Sequence, residues 1–303
     1  MRTLISSATR KNSTGAIKMK LFTPNAILLQ KAKREGYAVG AFNLNNMEIA
    51  QAIIETAEEE RSPVIMQASQ GAIQYAGVDY IAAIARAAAE RATVPVSLHL
   101  DHGTSFEQNV ECLRAGFSSI MFDGSKLPLQ ENIAITKRIC EIAHVVGVSV
   151  EGELGQIGKI SDKITKEQLE KMKANPQEAQ EFVKQTGVDA LAIAVGNIHG
   201  MQKQEAEIDV PRIETIERLT NIPLVLHGAS GIPNESVRQA IKAGICKINI
   251  DTELRKAFVR GINIVLKEDP SGIDPRKILG KAKMEMKEAV REKIRLFGCK
   301  GKA

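Results

Sequence analysis

A chain that repeats a six- to eight-residue apolar run eight times, with a helical stretch or the room for one after each, has few folds open to it. The runs are AVGAFN (38–43), PVIMQAS (63–69), PVSLHLD (95–101), SSIMFD (118–123), GVSVEGEL (147–154), DALAIAV (189–195), IPLVLHG (222–228) and CKINID (246–251). Between them lie helical patterns at 47–60, 78–92, 131–146, 175–187, 211–220 and 234–244, with apolar residues spaced three and four apart. In the last of these, Asn234 and Gly244 stand where an N-cap and a C-terminal stop belong.

Strands that are apolar almost throughout are covered on both faces, as in parallel sheets. Eight β/α units in about 250 residues match an α/β (β/α)8 TIM barrel. A doubly wound sheet is the competitor, but no Gly-x-Gly-x-x-Gly follows the first run. Residues 274–297 read as an extra C-terminal helix, packed over the barrel or on a neighbouring subunit. Residues 1–18 hold six Ser/Thr, four basic residues and no acid, and Met19 opens a helical pattern. We expect residues 1–18 to be a disordered or non-native extension, with organellar import the alternative. Residues 19–303 then form one barrel domain.

Composition narrows the functional classes. No apolar run approaches the ~20 residues needed to span a membrane. The net charge of +5 is spread over 41 basic and 36 acidic residues, and without Trp the chain lacks the aromatic-basic interleaving that stacks bases. The mild positive balance fits an anionic small molecule equally well, and no nucleic acid or membrane partner is expected. Four widely spaced cysteines without a CxxC pair fit reduced thiols and a cytoplasmic location.

In barrels of this kind the chemistry sits where strands end, and every run here ends in polar residues. They are Asn43 and Asn45, Ser69, Asp101 and His102, Asp123, Glu151 and Glu153, His199, His227, and Asn249 and Asp251. His102, His199 and His227 are each followed by glycine. One strand-end histidine is ordinarily a satisfied hydrogen-bonding residue. Three converging ones have the layout of a catalytic zinc site, three protein ligands with one position open. His99 shares a strand face with Asp101 and either orients it or packs, and His144 lies within a helix as a structural residue. HGASG (227–231) and NIDT (249–252) follow the last two runs, where barrels often hold a phosphate on backbone N–H groups.

From about Met19 onward, GAFNLNN (40–46), SLHLDHGTSFE (97–107), GVSVEGELG (147–155), GVDALAIAVGNIHG (187–200), IPLVLHGASGIP (222–233) and KINIDTELRKAF (247–258) resemble the class II, metal-dependent fructose-bisphosphate aldolases and the related tagatose-bisphosphate aldolases. The resemblance implies a zinc ion on His102, His199 and His227, and Asp101 as the acid/base at the aldehyde oxygen. It implies a phosphate on Gly200, Lys203, Gly228, Ser230, Asn249, Asp251 and Thr252 with Na+ or K+ nearby, and Asn43 and Ser69 facing substrate. Arg255 and Arg276 would reach a second phosphate, Asp123 and Glu153 would hold a second divalent ion, and the chain would form a homodimer or homotetramer.

The match breaks in ELGQIGKISDKITKEQLEKMKAN (153–175), where Ser161 replaces the family's loop glutamate and Asp162 or Glu167 is left to move the carbon proton. Lys126 and Asn197-Ile198 also depart from the pattern. The implied function is zinc-dependent cleavage of fructose-1,6-bisphosphate to dihydroxyacetone phosphate and glyceraldehyde-3-phosphate, a step of glycolysis. A paralogue for tagatose-1,6-bisphosphate or another phosphorylated ketose, or a non-catalytic zinc- or sugar-phosphate-binding relative, are the alternatives. Retro-aldol cleavage needs an electron sink, which zinc supplies as a Lewis acid. The other known sink is a lysine Schiff base, and Lys247 reads as lying at the start of its strand, away from the site.

Overall fold

The computed structural model of the chain describes residues 21–159, 165–200 and 207–303. Its strands are β1 Val39–Asn43, β2 Val64–Ser69, β3 Val96–Asp101, β4 Ser119–Phe122, β5 Ser149–Leu154, β6 Gly158–Lys159, β7 Ala190–Ile193, β8 Ile198–His199, β9 Leu224–Leu226 and β10 Ile245–Ile250. The helices are α1 Asn25–Glu35, α2 Met47–Glu60, α3 Gln70–Ala76, α4 Val78–Ala89, α5 Phe106–Ala115, α6 Leu129–Val145, α7 Lys166–Met172, α8 Pro176–Thr186, α9 Val210–Thr220, α10 Asn234–Lys242, α11 Thr252–Glu268 and α12 Pro275–Leu296.

Each of the eight apolar runs supplies one barrel strand. They close in the order β1-β2-β3-β4-β5-β7-β9-β10 and back to β1, all parallel. Closure removes the doubly wound alternative, which keeps open edges. β6 and β8 form a separate two-stranded ribbon, with Lys159 paired to His199 through the backbone. Outward-facing Val150, Leu154, Ile248 and Ile250 are buried beneath the helices. Helix starts follow local chemistry: the side chains of Asn46 and Ser105 accept from the N–H groups of Ile49 and Gln108.

Three local expectations change. Residues 21–24 are not helical, and the first helix starts after Pro24, whose ring disfavours helix in the residue before it; Met19 itself lies outside the described residues, as do residues 1–18. Asn234 is the first residue of α10, and Pro233 takes the cap position. The helical pattern at 78–92 stops at Ala89 and is preceded by the separate short helix α3.

α1 crosses the N-terminal mouth of the barrel, touching β1, β5 and β10. Ala26 N–H donates to Ser149 Oγ at 3.0 Å. α12 lies against α11 and α2 within this chain, closing the outer ring. At the α11–α12 crossing a Cβ on Gly261 would stand 2.5 Å from Ala282 Cα. Gly261→Ala is therefore expected to force the helices apart at a cost of about 1–3 kcal/mol. Thermal unfolding checks this, and an unchanged midpoint would refute the tight crossing.

Candidate active site

The alternation of a strand sends every second side chain into the barrel. On β10 these are Lys247 and Asn249, on β5 Glu151 and Glu153, and on β3 His99 and Asp101. The contacts prove the direction. β5 and β10 are separated by β7 and β9, yet Lys247 Nζ stands 3.0 Å from Glu151 Oε2. β3 and β10 are separated by β2 and β1, yet Asn249 Nδ2 donates to Asp101 Oδ1 at 2.9 Å. Both contacts cross the interior, which is polar from its middle to the C-terminal mouth.

Three histidines meet at that mouth. The ring of His102 lies 4.6 Å from that of His227 and 5.1 Å from that of His199, centroid to centroid. One nitrogen from each can be chosen so that all three lie within 4.8 Å of one another. His102 adopts the left-handed backbone, φ 52°, which costs a non-glycine residue roughly 1–3 kcal/mol. Its carbonyl accepts a hydrogen bond from Gln70 Nε2 and its N–H points at Met121 Sδ. His199 is carried by the β6–β8 ribbon. Beside that ribbon Gly228 has φ 60°, and a Cβ there would press on the Ile198 carbonyl at 3.0 Å. Glycine is needed for both reasons.

The donor set suits a metal ion. His102 Nδ1 lies 2.9 Å from Asp123 Oδ2, and His227 Nε2 lies 2.8 Å from Glu151 Oε1. Each carboxylate takes a ring N–H, which is the usual support of a ligating histidine. The remaining nitrogens, His102 Nε2 and His227 Nδ1, face each other across 2.9 Å and require a shared cation or proton. Burial alone would lower the His102 pKa, but Asp101, Asp123 and Glu153 outweigh it and push it up to about 10. Burial, then the positive His102 and Lys247, hold His227 well below its ordinary value, in the neutral form that binds metal. A metal ion would displace the His102 proton.

A second group, His102, Asp123 and Glu153, also brings three possible ligand atoms within 4.8 Å. Burial pushes Glu153 up to about 8; the neighbouring acids Asp123, Glu151 and Asp101 add to this against the pull of His102. Burial would raise Asp123 as well, but its bonds from His102 and Ser125 hold it below the ordinary range. One carboxyl of the pair thus carries a proton that a bound cation would expel.

Asp101 is clamped from two sides. Asn249 donates to Oδ1, and Asn43 Nδ2 reaches Oδ2 at 3.5 Å. Gln67 Nε2 in turn donates to Asn43 Oδ1 at 2.7 Å. Asp101, His102, Asn43, Ser69, Asp123, Gly200, Gly228, Ser230, Asn249, Asp251, Thr252 and Arg255 border one cavity of about 770 Å³, with Glu153 and His199. Arg255 Nε donates to Asp251 Oδ1 at 2.7 Å, and burial raises the Asp251 carboxyl against that pull.

Some sequence candidates fall elsewhere. Arg276 is exposed at the start of α12, bonded twice to Asp274, and does not border the cavity. Glu167 is exposed on α7 and paired with Lys171, so it does not face the cavity as a base would have to. Ser161, Asp162 and Lys203 lie outside the described residues. His99 does not touch Asp101; its Nδ1 bonds Ser119 Oγ at 2.8 Å, deeper in the barrel. His144 pairs with Asp189, which also accepts from Val150 N–H, a structural clasp. Lys247 is not remote from the site. It lies within β10, fully buried, and its Nζ donates to Asn249 Oδ1 at 2.8 Å.

Sequence reasoning assigned no role to Gln67, Gln70, Glu151 or Asn197. Asn197 accepts from Val195 N–H and donates to the His227 carbonyl at 2.9 Å, tying two of the histidine loops together. Period-two spacing from Asn249 back to Lys247, and from Glu153 back to Glu151, was the available signal.

Residues 24–302 match the family model described as fructose-bisphosphate aldolase class-II. The fructose-bisphosphate aldolase of Geobacillus stearothermophilus is 46% identical over 279 residues, covering 91% of this chain and 96% of that one. That of Thermus caldophilus is 43% identical over 299 residues, covering 91% and 98%. Among solved structures, the YdjI aldolase from Escherichia coli K12 superposes with a TM-score of 0.80 at 34% identity, covering 93% and 99%.

Proposed function

The chain belongs to the class II fructose-bisphosphate aldolase family, and from that premise we propose that it cleaves fructose-1,6-bisphosphate reversibly with zinc held on His102, His199 and His227. The convergence of three histidine nitrogens within 4.8 Å, two of them backed by carboxylates, carries this reading. When bound, the zinc supplies a Lewis acid that draws off the electron pair of the breaking carbon–carbon bond. Asp123 and Glu153 are the residues for a second divalent ion.

The chain's own residues do the rest. Asp101, fixed by Asn249 and Asn43, takes the proton of the C4 hydroxyl as the bond to C3 breaks and returns it to the aldehyde oxygen in the reverse direction. Ser230, Thr252, Gly200 and Gly228 border the cavity and are assigned one phosphate, with Lys203 and a Na+ or K+ ion placed beside it by the family resemblance. Arg255 borders the same cavity and faces the second phosphate. Ser69 and Asn43 contact the carbon chain. Asp162 is assigned the proton at C3, the place of the family's loop glutamate. Arg276, exposed on this chain, serves a neighbouring copy in a dimer or tetramer, which sedimentation would reveal.

The test is direct. Chelation by EDTA is expected to abolish cleavage and added zinc to restore it, while borohydride with substrate leaves no covalent adduct. A trapped lysine adduct would overturn the zinc mechanism. Running tagatose-1,6-bisphosphate and monophosphate ketoses beside fructose-1,6-bisphosphate identifies the sugar, and turnover of tagatose-1,6-bisphosphate alone would overturn the fructose assignment. We place the enzyme in the cytoplasm as a glycolytic lyase, a location that its four buried, unpaired cysteines suit. No helix among the described residues is long and apolar enough to cross a membrane.

A further inference from the structure

A buried lysine beneath the site has no part in the chemistry described so far. Lys247 is fully enclosed in the barrel, and every polar partner it has leads to a different working residue. Its Nζ donates to Asn249 Oδ1 at 2.8 Å and to Glu151 Oε1 at 3.3 Å, and stands 3.0 Å from Glu151 Oε2.

The two branches fix two orientations that chemistry leaves open. An asparagine amide can present either its oxygen or its NH2 group. With the ammonium of Lys247 on its oxygen, Asn249 must turn its NH2 toward Asp101, where it donates at 2.9 Å. A flipped amide would set two oxygens against each other. On the other branch, a neutral imidazole carries its proton on one nitrogen or the other, and the partner of one decides the state of both. Glu151 Oε1 sits 2.8 Å from His227 Nε2, so the proton stays on Nε2 and Nδ1 keeps its lone pair for the site. Lys247 balances the charge of that buried carboxylate and holds it in place.

We propose that Lys247 is a positioning residue that sets, from one buried ammonium group, both the amide orientation behind Asp101 and the ring tautomer of His227. Through Asn249 it holds the carboxylate that moves the proton, and through Glu151 it aims the histidine nitrogen offered to the metal. This rests on the reading of His227 as a metal ligand.

The test begins with the wild-type protein. Nitrogen-15 spectra of its histidine rings in the zinc-free state are expected to show His227 protonated at Nε2 alone; a ring protonated at Nδ1 overturns the proposal without any variant. Lys247→Met/Glu151→Gln removes both buried charges together, so no lone ion is left inside the barrel. A neutral glutamine can offer either end of its amide, and His227 should then populate both tautomers. Zinc affinity, read by competition with a chelator, should fall by about 10–100-fold. With zinc saturating, kcat should fall by about tenfold or more through the released Asn249, and by a larger factor than KM rises. Glu151→Gln alone is the second variant, in which Lys247 claims the amide oxygen and the NH2 group faces His227. There the tautomer should invert. A double variant with a lower thermal midpoint but wild-type tautomer and zinc affinity would reduce Lys247 to a structural ion pair. A wild-type protein that binds no zinc would instead overturn the assigned function, so the two failures are distinct.

Discussion

Replacing His102 by alanine is expected to leave a folded barrel that no longer retains zinc, with cleavage reduced by roughly 10³-fold or more. The side chain is 24% exposed and projects from the loop after β3, so its removal opens no core cavity. Its loss has a specific chemical consequence. His227 Nδ1 loses the nitrogen that faces it at 2.9 Å, and Asp123 loses the ring it supports. Two histidines remain, one short of the three protein ligands of a catalytic zinc site. Metal content after dialysis and turnover at saturating substrate are the measurements. Full zinc occupancy with wild-type turnover would remove His102 from the site.

Asp101→Asn should give the opposite pattern, with zinc retained and turnover lost by about 10²–10⁴-fold. Asp101 is not needed as a metal ligand, because the three histidines already supply the protein ligands of a catalytic zinc site. Its part is to move a proton, which an amide cannot do. The substitution is nearly isosteric, but its neighbours are donors on both sides, Asn249 at one oxygen and Asn43 at the other. One of those contacts becomes NH2 against NH2, so the side chain also loses part of its clamp. A variant that loses zinc together with activity would show that Asp101 acts on the metal, and a variant with full activity would place the proton transfer elsewhere.

These two residues were legible in the sequence because strand ends concentrate chemistry, and three His-Gly pairs at strand ends are hard to account for otherwise. The eight strands were legible for a related reason: burial on both faces leaves apolar runs that no loop would carry. The same double burial hid the interior. In KINID both faces read as acceptable for a buried strand, so hydrophobicity did not tell which of Lys247 or Ile248 points inward, and only the period-two step back from Asn249 carried that signal. The β6–β8 ribbon that carries His199 was hidden by its two-residue strands, too short to make a pattern. Arg276 was brought into the site by resemblance alone, and its exposed pairing with Asp274 is a feature that only coordinates display.

The helix across the N-terminal mouth has a practical consequence for handling the protein. Thr23 N–H bonds the carbonyl of Val96 at the start of β3, and Ala303 N–H bonds that of Arg61, just ahead of β2. Both ends of the described chain therefore emerge on the face opposite the cavity. A tether or fusion partner joined at Leu21 or at Ala303 would hang from the closed floor of the barrel, leaving the open mouth pointed toward the solution and its substrate.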